Sequence, residues 1–130
     1  MTENEIAKII VDCAYHIHKA VGPGLLESVY ETILTDALRQ RGLQVERQKP
    51  IPIIFEDRTL DEGFRADLPV DGKVIVELKS VEQLARVHKK QLMTYLRLSS
   101  MKLGLLINFG GELLRGNIER LVNGLPEASP

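Results

Sequence analysis

The sequence predicts an α/β fold in which a mixed central sheet is flanked by helices in three layers. Three observations predict it: two helical patterns open the chain, three strand candidates follow, and a further helix leads to a nearly continuous apolar strand. A wholly apolar strand is typical of one buried on both faces, and parallel pairing requires a crossover such as this helix. The length of 130 residues suits one domain, expected over residues 1–123, with a disordered tail over 124–130.

The helices are predicted from apolar residues that recur at helical spacing. The first is expected over residues 3–21, and the sequence Gly22-Pro23-Gly24 ends it and opens the second, over residues 25–41. The crossover helix is expected over residues 81–98. A weaker helical pattern covers residues 116–122.

Four segments rich in β-branched and apolar residues are predicted to be strands. They span residues 43–55, interrupted by Pro50 and Pro52, and then residues 58–70, 73–79 and 103–109. The third of these segments carries two charges. Because side chains alternate along a strand, Glu77 and Lys79 share one face, and the apolar side chains Val74, Val76 and Leu78 occupy the other.

Charged groups in such a segment need a partner, since removing them from water is costly. A carboxylate beside an ammonium, with a second carboxylate on the neighbouring strand, suits a site for a hard divalent cation such as Mg²⁺, which prefers oxygen ligands. The alternative is an ordinary ion pair between Glu77 and Lys79 on an edge strand.

The loop before the third strand decides whether Asp67 can share such a site. A two-residue turn at Asp71-Gly72 would place Asp67 opposite Val76, on the wrong face of the sheet. A three-residue loop over residues 71–73, or a bulge near Pro69, shifts the register so that Asp67 lies opposite Glu77 instead, with Cβ atoms about 5 Å apart. We expect the second register.

The composition of the chain indicates which binding partners and which cellular compartment to expect. The net charge of −1 gives no strong overall field to attract nucleic acid, so any such binding must use a local surface. A single cysteine, Cys13, excludes an intramolecular disulfide and fits a reducing compartment. No signal segment and no apolar run of membrane-spanning length is visible, so we expect a cytoplasmic protein without membrane contact.

Two motifs resemble those of a known family. Asp67 with Glu77-x-Lys79 resembles the signature of the PD-(D/E)XK nuclease superfamily, and GLLESVY at residues 24–30 resembles the motif that names its GxxExxY family. The resemblance covers nearly the whole chain, and Ala66 stands where the signature has proline. It implies a restriction-endonuclease-like fold and a metal-dependent nuclease acting on nucleic acid, with DNA favoured as the substrate.

The resemblance also implies roles for particular residues. Glu27, Asp67 and Glu77 would hold Mg²⁺ or Mn²⁺, directly or through water, and Lys79 would orient the water nucleophile. On the second helix, Glu27 lies on the flank of the apolar arc, away from a polar face with Thr32 and Thr35.

The third helix adds two candidate catalytic residues. Gln91 and Tyr95 lie on one helical line that is expected to face the sheet, so the Gln91 amide is predicted to be buried. The two residues resemble the QxxxY element of the RecB-type branch and are expected to support the site or to contact phosphate.

Two other function classes remain open from the sequence. One is a non-catalytic nucleic-acid-binding or protein-interaction module that retains the fold, and the other is a structural subunit of a homodimer. The carboxylates and the lysine favour the enzyme, whereas the lack of a dominant basic surface favours a binding module.

Overall fold

The computed structural model describes residues 1–126, apart from the side chain of Glu62. Within these residues the elements, in chain order, are α1 (Glu3–Val21), α2 (Glu27–Gln40), β1 (Lys49–Phe55), β2 (Arg58–Ala66), β3 (Leu68–Val70), β4 (Val74–Lys79), α3 (Arg86–Ser99), β5 (Leu103–Asn108) and β6 (Ile118–Val122). Of the tail predicted over residues 124–130, the last four residues lie outside the described part.

The central sheet has the strand order β3-β4-β5-β6. The inner pair β4 and β5 is parallel, and the outer strands β3 and β6 run antiparallel to their neighbours, so the sheet is mixed as predicted. The crossover between β4 and β5 contains α3, which confirms the predicted connection. Strands β1 and β2 form a separate antiparallel ribbon.

Helices pack on both faces of this sheet and confirm the predicted three layers. Val74, Val76 and Leu78 of β4 join a buried cluster with α1 and α2. Ile75 lies on the opposite face and packs in a second cluster with α3 and the base of the ribbon. By strand alternation Glu77 shares the face of Ile75, so its carboxylate lies in the layer that contains α3.

Local hydrogen bonds explain where two of the helices begin. At the start of α1, the Thr2 hydroxyl accepts from the Glu5 N–H at 3.1 Å, and the Glu5 carboxylate accepts from the Thr2 N–H at 3.0 Å. Helix α3 begins at Arg86, later than predicted, and His88 Nδ1 accepts from the Ala85 N–H at 3.1 Å. The six residues before it, 80–85, form a loop that reaches the end of β5 through Val81.

The predicted helix over residues 116–122 is wrong, because Ile118–Val122 forms β6. This short segment carries too little apolar periodicity to stabilise a helix alone. As a strand it pairs antiparallel with β5 and supplies hydrogen-bond partners along an edge of that strand which β4 leaves free.

Two strand predictions need adjustment. The segment predicted over residues 43–55 is a strand only from Lys49, although Val45 forms an isolated bridge with Val70. The segment predicted over residues 58–70 is divided at Asp67 into β2 and β3. Because of this division, β2 pairs with β1 in the ribbon and β3 pairs with β4 in the central sheet.

Among residues 1–126, no helix has the length and apolar composition needed to cross a membrane.

Candidate active site

The β3–β4 hairpin sets the position of the two central carboxylates. Val70 pairs with Val74, which leaves three residues in the loop, and Leu68 pairs with Val76. The loop turns through left-handed conformations at Asp71 (φ 51°) and Gly72 (φ 64°). The predicted register is therefore confirmed, and its continuation brings Asp67 opposite Glu77.

Hydrogen bonds connect these two residues directly. The Asp67 N–H donates to Glu77 Oε1 at 3.2 Å, and the Leu78 N–H donates to Asp67 Oδ2 at 2.9 Å. The Asp67 side chain thus takes the place of a strand carbonyl where the β3–β4 ladder ends. Both carboxylates are consequently held at one end of the sheet.

The Glu77 carboxyl lies in an unfavourable environment for a negative charge. Glu77 is only 9% exposed. Burial, followed by the charge of Asp67, raises the pKa of Glu77 to about 9, and the nearby Lys79 ammonium offsets this only in part. Without a cation, Glu77 therefore carries a proton at neutral pH, and a bound divalent cation would favour its release.

Tyr95 of α3 lies on the same side of the sheet as the acidic pair. Its ring stacks on Phe64 of β2, with ring centroids 3.8 Å apart and planes 6° from parallel. Burial and then the Glu77 charge raise the pKa of the Tyr95 hydroxyl, while a hydrogen bond with Gln91 lowers it. The prediction that Gln91 is buried is wrong: it is exposed, because α3 turns Leu92 and Leu96 towards the sheet.

Glu27 occupies a different place from the acidic pair. It is the first residue of α2 and is exposed, and it lines an open pocket of about 670 Å³ together with Ser80 and Gly110. Among the described residues, no three Asp, Glu, His or Cys side chains lie close enough together to hold one metal ion. The structure therefore brings Asp67 and Glu77 together but leaves Glu27 outside the pair.

The tyrosine of the GLLESVY motif stabilises the turn that precedes Glu27. Tyr30 is fully buried and stacks on Phe109, with ring centroids 4.4 Å apart. Its hydroxyl donates to the Gly22 carbonyl and accepts from the Leu25 N–H. Tyr30 thus fixes the turn from inside the core and makes no hydrogen bond to Asp67 or Glu77 in the described structure.

Asn108, at the end of β5, holds the loop over residues 80–85, which forms the wall opposite Glu27 in the pocket of about 670 Å³. Its side chain accepts from the Val81 N–H and donates to the Val81 carbonyl, each at 3.0 Å. Ser80 Oγ donates to the Leu25 carbonyl at 2.6 Å, which joins this loop to the turn before α2. The pocket wall is therefore held by buried amide and backbone groups.

Gly110 packs directly against the Val81 backbone, where only a residue without a Cβ fits. Substitution of Gly110 therefore tests how firmly the loop containing Val81 is held. An added Cβ would lie 2.3 Å from the Val81 oxygen and 2.4 Å from its nitrogen. We expect Gly110→Ala to lower the free energy of unfolding by about 1 to 3 kcal/mol, the usual cost of overpacking, as measured by urea denaturation. Gly104→Ala, whose added Cβ would lie 3.1 Å from the flexible Leu92 and Leu96 side chains and not from backbone atoms, is the matched control. Equal losses in the two variants would contradict the steric explanation.

Glu31 is a buried carboxylate near Asp67 that the sequence analysis did not identify. It is 7% exposed, and its Oε1 lies 3.3 Å from Arg47 Nε in an ion pair. Its Oε2 accepts from Gln48 Nε2 at 3.1 Å, and the same amide donates to Asp67 Oδ1 at 3.0 Å. The position four residues after Glu27, on the same side of α2, was an available signal. Thr35 is also buried, so the prediction that it lies on the polar face is wrong.

The donor set around Asp67 and Glu77 fits a divalent cation. Mg²⁺ commonly uses one or two protein carboxylates and completes its coordination with water and phosphate oxygens. Two adjacent carboxylates, one of them buried and protonated without a cation, provide such ligands. Lys79 lies two residues along the same strand and carries the charge that can contact a phosphate.

The mixed sheet between two layers of helices, with Asp67 and Glu77 paired at one end, is consistent with a restriction-endonuclease-like fold. The model of the PD-(D/E)XK nuclease superfamily matches residues 4–121, so the chain belongs to that superfamily. Its members are typically nucleases that use divalent metal ions. No curated protein and no solved structure shows a significant match.

Proposed function

We propose that the protein is a nuclease of the GxxExxY family, in the RecB-type branch, that uses Mg²⁺ or Mn²⁺ to hydrolyse phosphodiester bonds, with DNA as the preferred substrate. The observation that carries the proposal is the pairing of Asp67 with Glu77 beside Lys79, within a chain that belongs to a nuclease superfamily. The GLLESVY motif supports the finer family assignment.

A cation bound at this site would act as a Lewis acid on the phosphate and lower the pKa of a bound water. Asp67 and Glu77 supply oxygen ligands, and Glu77 must lose its proton to do so. The Lys79 ammonium neutralises charge on the phosphate and orients the attacking water. We assign Glu27 as a third acidic group that acts through water, from the pocket beside Ser80.

Gln91 and Tyr95 complete the proposed site. Tyr95 stacks on Phe64, and its hydroxyl lies near enough to Glu77 and Gln91 for both to shift its pKa. Because Gln91 is exposed, its amide is available to a substrate phosphate, whereas Tyr95 supports the carboxylates. Hydrogen bonds of this kind orient the ligating groups and position the phosphate.

The test is cleavage of a panel of single- and double-stranded DNA and RNA with Mn²⁺, by the wild type and by Glu77→Gln side by side. We expect the wild type to cut DNA and the variant to lose activity by at least about 100-fold, because removing a ligand weakens stabilisation of the transition state. Glu112→Gln, exposed in the loop after β5, is the matched control. Equal rates for the wild type and Glu77→Gln would contradict the proposal.

A non-catalytic nucleic-acid-binding module is the second candidate. The exposed position of Glu27, away from the Asp67–Glu77 pair, is the observation in its favour. Binding of DNA without cleavage at any divalent metal concentration is the result expected of such a module.

A further inference from the structure

One amide joins α2 to the acidic pair. Gln48 lies in the segment before β1, and its Nε2 donates to Asp67 Oδ1 at 3.0 Å and to Glu31 Oε2 at 3.1 Å. These two acceptors belong to segments far apart in the sequence. A single NH₂ group therefore uses both of its hydrogens to hold two carboxylates in a common arrangement.

The backbone of Gln48 also contacts Asp67. Its N–H donates to the Asp67 carbonyl at 2.9 Å, and its own carbonyl accepts from Arg65 Nη1 at 3.3 Å. Gln48 adopts φ 49°, a left-handed conformation that is unfavourable for a residue with a Cβ. Such a conformation persists only where surrounding contacts impose it, and it is found more often at functional sites than elsewhere.

These contacts fix the Asp67 carboxylate at both of its oxygens. Oδ2 accepts from the Leu78 N–H at 2.9 Å, and Oδ1 accepts from Gln48. With one partner on each oxygen, the carboxylate plane cannot rotate freely. Each oxygen retains lone-pair capacity for a further partner.

We propose that Gln48 is a positioning residue for the cation site, which acts through Asp67 and uses Glu31 as its anchor on α2. This inference rests on the proposed function, since it assumes that Asp67 is a metal ligand. Ligating carboxylates are usually hydrogen-bonded in turn, and loss of such a partner typically weakens metal binding by about 10- to 100-fold. Glu31 is itself held by Arg47, so the anchor has a fixed position.

Two substitutions separate this role from simple bracing of the loop. Gln48→Asn keeps an amide and tolerates the left-handed backbone, but it is one methylene too short to reach both carboxylates. Gln48→Gly removes the amide and relieves the backbone strain, so the metal-free variant should melt near the wild-type temperature. Gln44→Asn, an exposed position in the same loop, is the matched control.

The experiment measures Mn²⁺ binding to each protein by titration calorimetry, together with the melting temperature of each metal-free protein. We expect Mn²⁺ to bind both Gln48 variants at least about 10-fold more weakly than the wild type, and to bind Gln44→Asn with wild-type affinity. Cleavage by the Gln48 variants should recover as the Mn²⁺ concentration rises, because the ligands themselves are intact.

Unchanged Mn²⁺ affinity in folded Gln48 variants would overturn the positioning role and leave the proposed nuclease intact. A lower melting temperature with unchanged affinity would likewise show that Gln48 only braces the loop. If the wild type itself binds no Mn²⁺, the proposed metal site fails, and the role of Gln48 fails with it.

Discussion

Replacing Lys79 with alanine is expected to lower cleavage by at least about 100-fold while the protein still binds Mn²⁺. An ammonium group cannot ligate the cation, so its loss removes charge stabilisation and water positioning only. Mn²⁺ binding should be equal or tighter, because the substitution deletes a positive charge near the cation. Single-turnover cleavage at saturating Mn²⁺ and titration calorimetry provide the two measurements.

Two comparisons make the Lys79 result specific. Lys79→Met retains most of the aliphatic chain, and its activity should be lost to the same degree without a change in melting temperature. Lys102→Ala, exposed before β5, should behave as the wild type does. Asp67→Asn, in contrast, should lose both cleavage and Mn²⁺ binding. A Lys79→Ala protein that cuts at the wild-type rate would refute the proposed mechanism.

Replacing Glu77 with glutamine is expected to stabilise the metal-free protein increasingly as pH rises. The unfolded carboxyl releases its proton near its ordinary pKa of 4.5, whereas the buried native carboxyl, close to Asp67, has a pKa of about 9. Between these values the native state binds more protons than the unfolded state, so the wild-type free energy of unfolding declines with pH. The stabilisation that the Glu77 carboxyl contributes is fully present below pH 4.5 and is lost as the pH rises through about 9.

Glutamine removes this titration and can still accept the Asp67 N–H through its side-chain carbonyl. The difference between the variant and the wild type should therefore grow by on the order of 1 kcal/mol per pH unit over the neutral range, as measured by urea denaturation. Glu112→Gln should show the wild-type dependence. Parallel pH profiles for the wild type and Glu77→Gln would contradict the raised pKa.

A bound divalent cation should restore part of the stability that the metal-free wild type loses as pH rises. A cation bound between Asp67 and Glu77 replaces the proton, so Mn²⁺ should raise the wild-type melting temperature, and more strongly at higher pH. Glu77→Gln should respond weakly at every pH, because it has lost one ligand. An unchanged wild-type melting temperature at millimolar Mn²⁺ would count against the proposed site.

Local pattern predicted the three helices, the segments that contain β1 to β5 and the centre of the candidate site. The alternation of β4 places Glu77 and Lys79 on one face, and the expectation that Asp67 shares their site favoured the shifted register. The structure confirms this register and shows that a three-residue loop produces it. Both inferences depend on the period of two along a strand, which distant contacts do not change. The metal-ligand roles of Asp67 and Glu77 remain proposals from this pattern.

Tertiary structure decided the elements and contacts whose partners are distant in the sequence. Residues 118–122 form a strand because β5 offers them a free edge, although their own pattern is weakly helical. On α2, periodicity placed Glu27 beside the apolar arc, but the approach of the segment containing Arg47 and Gln48 buries Glu31 instead. Nothing local distinguishes Gln48 from an ordinary surface glutamine, because its role arises only where the loop meets Asp67 and α2.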